Sequence, residues 1–138
     1  MNLEKLCKLQ KRAARIILKA KYDIPSLQLF KKLGWLSVQN RLEYHKSGLM
    51  YKCINNSAPD YLCNLFDMNT NSNVNSLRSS AKGNLFVPRP NSNFMKRTFH
   101  YSGTISWNSL PPNLKLIQNI DLFKKKYTDY LMSKQNNE

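Results

Sequence analysis

The stretch Leu3-Glu4-Lys5-Leu6-Cys7-Lys8-Leu9-Gln10-Lys11-Arg12-Ala13-Ala14-Arg15-Ile16-Ile17-Leu18-Lys19-Ala20 decides the fold class. Its apolar positions, Leu3, Leu6, Leu9, Ala13, Ile16, Ile17 and Ala20, follow the three-and-four spacing of an amphipathic helix. Asn2 is the expected N-cap. A second stripe, Lys8, Arg12, Arg15 and Lys19, recurs at steps of four, three and four, with Lys5 and Lys11 on its flanks and Glu4 as the one acid. One helix thus carries an apolar face and a cationic one.

Working outward, Pro25 disfavours helical geometry at Ile24, and Ser26 is expected to cap a short helix from Leu27 to Leu33. Gly34 suits the left-handed position that closes it. Ser37 then caps a longer helix from Val38 to about Ile54, with Val38, Leu42, Leu49 and Cys53 near one face and Trp35 and Leu36 pinning the corner. Ala58-Pro59-Asp60 opens a further short helix through Phe66. Residues 1–66 read as a helical unit, and residues 67–84 as a polar Asn/Ser-rich loop. In residues 85–134, Leu85-Phe86-Val87 and Arg97-Thr98-Phe99-His100-Tyr101 read as short strands or extended segments around Pro88-Arg89-Pro90. Helices are expected over Ser102 to Leu110 and Asp121 to Met132, the second with a stripe of Leu122, Phe123, Tyr127, Tyr130 and Leu131. Lys134 onward should fray, leaving residues 135–138 as a tail. The expectation is a mainly α protein: a small helical domain with a short extended or β middle section and a C-terminal helix, residues 85–134 packing on the first unit.

Composition narrows the function. The 138 residues hold 22 Lys and Arg against 8 Asp and Glu, a formal charge of +14. Residues 1–52 carry 12 of the basic residues and 3 of the acidic ones, so the excess is concentrated there. No apolar run exceeds three residues, which leaves no place for a transmembrane helix or a secretory core. Cys7, Cys53 and Cys63 form no CxxC pair, and their odd number argues for buried thiols in a reducing compartment, nuclear or cytoplasmic. No two acidic residues lie within five positions of each other, a thin supply for two-metal phosphoryl chemistry. His45 and His100 complete no metal-ligand spacing. Neither a cofactor nor a catalytic residue is expected.

The cationic stripe is the candidate site. Successive side chains on a helix face lie about 5–6 Å apart, and Arg offers bidentate contacts to phosphate. The plain alternative is a solvated face, against which the whole-chain charge speaks. Arg89, Lys96 and Arg97 interleave with Phe86, Phe94, Phe99 and Tyr101, a pattern that stacks single-stranded bases or merely sets core aromatics beside exposed cations. Trp35 and Trp107 read as core anchors. Lys124-Lys125-Lys126 suits nucleic-acid contact, nuclear import or solubility equally well. A basic amphipathic first helix also suits a membrane surface, calmodulin or a presequence, but folded-domain text continues after Ala20.

Several stretches, in order, resemble one family. They are Leu9-Gln10-Lys11-Arg12-Ala13-Ala14-Arg15-Ile16-Ile17, Leu33-Gly34-Trp35-Leu36-Ser37-Val38 with Arg41, Leu49-Met50-Tyr51-Lys52 and Ala58-Pro59-Asp60-Tyr61-Leu62. The series continues with Leu77-Arg78-Ser79, Val87-Pro88-Arg89-Pro90, Lys96-Arg97-Thr98-Phe99, Trp107-Asn108-Ser109-Leu110-Pro111, and Phe123-Lys124 ahead of Tyr130-Leu131. The ordered set resembles the post-thumb, C-terminal region of the reverse transcriptase polyprotein of jockey-like non-LTR retrotransposons, over residues 3–131. The resemblance implies a fragment of an RNA-directed DNA polymerase that works through target-primed reverse transcription. The family's aromatic-Ala-Asp-Asp motif has no match in this chain, nor does an endonuclease signature or a Cys/His knuckle.

Together these readings predict a basic accessory module, not an enzyme alone, that holds RNA, DNA or an RNA/DNA hybrid through Lys8, Arg12, Arg15, Lys19, Arg41 and Arg97. Its expected partners are nucleic acid and the polymerase core of a longer polyprotein, with no membrane. Two alternatives stay open at this point: a structural domain that packs on a polymerase or other partner, and a relic without function.

Overall fold

The computed structural model describes residues 3–66 and 83–136. Among them lie seven α-helices: α1 (Leu3–Ile17), α2 (Ser26–Leu33), α3 (Val38–Ile54), α4 (Asp60–Cys63), α5 (Phe99–Asn108), α6 (Pro112–Lys115) and α7 (Ile120–Asn136). A 3-10 turn spans Met95–Arg97. The protein is mainly helical, as expected, and no strand occurs among the described residues. The cap at Asn2 and nearly all of the 67–84 loop lie outside the described residues.

Local chemistry sets the helix ends. α1 stops in a Schellman motif: the Lys19 N–H reaches the Ile16 carbonyl at 3.2 Å, the Ala20 N–H reaches that of Arg15 at 3.0 Å, and Lys19 itself turns left-handed at φ 47°. Gly34, at φ 64°, closes α2 in the same way, with the Trp35 N–H on the Phe30 carbonyl at 2.9 Å. Pro25, at φ −57° and ψ 133°, occupies the cap position of α2, so Ser26 is its first helical residue and not the cap. Ser37 does cap α3, its Oγ accepting the Asn40 N–H at 3.3 Å. Asn119 caps α7 by accepting the N–H groups of Asp121 and Leu122 at 2.8 and 3.1 Å. α7 runs on to Asn136, so the fraying expected from Lys134 does not occur: Gln135 is helical and buried, held by hydrogen bonds to Ser37 and Trp35.

The expected extended segments resolve differently. Over Arg97–Tyr101 the reading is corrected. Thr98 ends the 3-10 turn and caps α5, its Oγ1 accepting the Tyr101 N–H at 3.5 Å, so Phe99 to Tyr101 are helical. At Leu85 the backbone N–H and carbonyl pair with the Asn108 side-chain amide at 2.8 and 2.9 Å. Leu85 is also an isolated β-bridge residue, but no strand continues through Phe86 and Val87.

The chain divides into two compact units, Met1–Tyr44 with Lys126–Glu138, and His45–Lys125. In the first, Ala14, Leu29 and Phe30 form a buried cluster joined by Leu18, Ile24, Leu33 and Trp35. The Tyr127 ring stacks on Tyr44 at 6.3 Å and on Tyr130 at 6.1 Å. In the second, Tyr51 stacks on Phe123 with ring centroids 4.5 Å apart, Trp107 is buried as a core anchor, and its indole N–H donates to the Gly83 carbonyl at 3.2 Å. Ser47 and Ser106 share a buried hydroxyl contact at 3.3 Å.

Two apolar stripes are not the faces the fold buries. On α3 the buried residues are Ser47, Met50, Tyr51 and Cys53, while Leu42 and Leu49 are exposed. On α1 Ala14 is the one buried residue, and Leu9, Ile16 and Ile17 are 61%, 67% and 56% exposed. The buried side of α1 lies roughly a quarter turn from the centre of its apolar stripe, at about 3.6 residues per turn.

Candidate nucleic-acid interface

The rotation of α1 determines which cations meet. Lys8, Lys11, Arg12 and Arg15 line one groove of 590 Å³ with Tyr22 and Ser26. The four cations sit at three- and four-residue steps on α1, while Tyr22 and Ser26 come from the α1–α2 turn and the first residue of α2. That turn is held by the Schellman bonds at Lys19 and Ala20, by the Ile24 N–H on the Lys21 carbonyl at 3.4 Å, and by Pro25. A second groove of 520 Å³, lined in part by Leu3, Cys7, Leu27 and Val38, shares Lys8, Lys11 and Ser26 with the first.

The Arg15 guanidinium carbon lies 5.1 Å from the centroid of the Tyr22 ring, within cation–π range. Its Nε is buried and has no hydrogen-bond partner among the described residues. Tyr22 is 89% exposed, so it contributes to this groove and not to a core. Like charges three and four residues apart destabilise a helix by about 0.2–0.5 kcal/mol per pair, a strain that a bound polyanion relieves.

The structure brings Lys8, Arg12 and Arg15 together, as the spacing predicts. Lys19 does not line this groove: α1 ends at Ile17 and Lys19 belongs to the left-handed turn. Lys11, a flank of the stripe in the sequence, is a full member of the groove. Arg41 lies in a different groove of the same unit, lined also by Gln10, Trp35, Leu42, Thr128 and Met132, with its guanidinium 5.5 Å from the Tyr44 ring. Arg97 belongs to the second unit, exposed at the end of the 3-10 turn. Of the aromatics that interleave with it in the sequence, Phe86 and Phe94 are exposed, while Phe99 is half-buried and meets Phe66 edge-on at 5.5 Å. The residue that sequence reasoning missed is Tyr22. Its one signal is a lone aromatic in a polar turn between two helices.

Among the described residues no group of three or more His, Cys, Asp and Glu side chains is placed to hold a metal ion. Nor is any helix long and apolar enough to cross a membrane. No family model, curated protein or solved structure matches the chain.

Proposed function

We propose that this chain is a basic nucleic-acid-binding accessory module, not catalytic alone, of the kind its sequence resembles: the region after the polymerase core of a jockey-like reverse transcriptase. It holds RNA, DNA or an RNA/DNA hybrid during target-primed synthesis, in the nucleus or cytoplasm. The observation that supports this reading is the groove of Lys8, Lys11, Arg12 and Arg15, four cations on one helix face in a chain of net charge +14. The mechanism is electrostatic and sequence-tolerant, with Arg41 and Arg97 as outlying contacts.

The test is fluorescence-anisotropy titration against single-stranded RNA, duplex DNA and an RNA/DNA hybrid at two salt concentrations. Four phosphates neutralised on a single strand give a slope of log K against log salt of about −2.8, at roughly −0.7 per contact. Replacing the four groove cations by Ala should flatten that slope. Unchanged affinity and slope in the quadruple variant would overturn the reading.

One observation favours a second reading, a structural domain that packs on a polymerase or other partner. Leu9 and Ile16, two turns apart on α1, are both more than half exposed. A folded chain that ignores nucleic acid but self-associates in size-exclusion runs, and becomes monomeric on Leu9→Ser with Ile16→Ser, would support it.

A further inference from the structure

We infer that Tyr22 is a base-stacking platform, and that the α1 groove therefore selects single-stranded over duplex nucleic acid. This deepens the proposed function and rests on it. Cations alone do not make that choice: a duplex has the denser phosphate charge and releases more counterions per contact, about 0.9 against 0.7 for a single strand. A groove of four cations and nothing else would hold duplex at least as well.

Tyr22 changes the balance. It lines the same groove as Lys8, Lys11, Arg12 and Arg15, so a strand whose phosphates follow the cations carries its bases past the ring. An 89% exposed tyrosine leaves a broad apolar face in water that a base would cover, which an unpaired base can do and a paired one cannot. The ring is also held. Arg15 lies over one face at 5.1 Å, and the turn that bears the ring is fixed by the backbone bonds of Lys19 and Ala20 and by Pro25. A platform positioned in advance loses little freedom when a base arrives. The arrangement places a guanidinium, an aromatic ring and a base in one stack, with neighbouring lysines available to the flanking phosphates.

The experiment compares the full chain with Tyr22→Ala and Tyr22→Trp on three labelled oligonucleotides of equal length: a single strand of unstructured sequence, its duplex, and a strand with abasic sites that keeps the phosphates and lacks the bases. Tyr22→Ala should weaken the single strand roughly five- to a hundredfold, leave duplex and abasic binding and the salt slope unchanged, and Tyr22→Trp should restore the loss. Circular dichroism of the variants, whose substituted side chain is exposed, checks that the fold persists. Unchanged single-strand affinity in Tyr22→Ala overturns the inference while leaving the cationic groove intact. Equal losses on all three ligands overturn it too, because Tyr22 would then act only by positioning Arg15. Absence of binding to every ligand by the wild-type chain removes the nucleic-acid reading itself.

Discussion

Gln10 and Gln135, from opposite ends of the chain, hold the same corner. The Gln10 side chain accepts the Val38 N–H at 3.0 Å and donates to the Leu36 carbonyl at 2.8 Å. Gln135, 2% exposed, accepts the Ser37 N–H at 2.8 Å and the Asn40 side-chain amide at 3.0 Å, and donates to the Trp35 carbonyl at 3.2 Å. Backbone groups that turn the chain from α2 into α3 are thereby satisfied by two side-chain amides, where no regular structure could serve them.

Gln135→Leu preserves bulk but leaves the Ser37 N–H and the Trp35 carbonyl without partners. Stability should fall by about 1–2 kcal/mol, since each orphaned buried group costs about 1–3 kcal/mol and these two are partly buried. Urea unfolding followed by circular dichroism reads the loss. A midpoint equal to wild type would show that the clamp contributes nothing.

Lys19 tests the division between cap and groove. A lysine at φ 47° bears the steric penalty of left-handed geometry, so Lys19→Gly should raise stability by about 0.5–1 kcal/mol. Since Lys19 is outside the groove, the salt slope of nucleic-acid binding should not change, whereas Arg12→Ala should lower its magnitude by about 0.7. Equal slope changes in the two variants would place Lys19 back among the contacts.

The Tyr51 hydroxyl is buried and has no hydrogen-bond partner among the described residues, and burial raises its pKa above the ordinary 10.0. The fold holds the neutral phenol. Its contribution is therefore complete below pH 10 and is lost as pH rises past that value. Cys53 acts in the same direction from its ordinary 9.0, raised first by burial and then by Cys63. Tyr51→Phe should be neutral or up to about 1 kcal/mol stabilising at pH 7, and should move alkaline unfolding to higher pH. Alkaline unfolding at lower pH in the variant would contradict this.

Gly103 marks close packing of α5. A methyl group there would stand 2.7 Å from the Met50 sulfur and 3.2 Å from a Phe99 ring carbon, and Met50 is fully buried. Gly103→Ala should cost about 1 kcal/mol, the overpacking outweighing the gain in helix propensity. A rise in melting temperature would show that Met50 moves aside freely.

The ends of α2 and the start of α3 were legible in the sequence because they depend on neighbours a few residues away. Gly34 supplies left-handed geometry, Ser37 an acceptor and Pro25 a non-helical backbone, and each acts where it stands. Thr98 misled, since a β-branched residue among aromatics matches strand statistics while its hydroxyl caps a helix. The cationic face of α1 was legible too, for three- and four-residue steps fix which side chains share a face. Its extent was not: Lys19 continues the arithmetic of the stripe, but the helix ends before it.

By itself, then, the sequence determined that the protein is helical, where α2 and α3 begin and end, and that its charge gathers on the first helix, but it gave no sign of α6 and misplaced one end each of α1, α4, α5 and α7. Only the tertiary structure decided which face of each helix is buried, because that depends on residues distant in the chain. Gln135 reaches Ser37 across 98 positions, and Ala14 meets Leu29 and Phe30 of α2. Those contacts set the rotation of α1, left Leu9 and Ile16 exposed, and gave Lys11 and Tyr22 their places beside Arg12 and Arg15 in the groove. Periodicity orders the side chains around a helix, and the neighbours it packs against select which of them face the core.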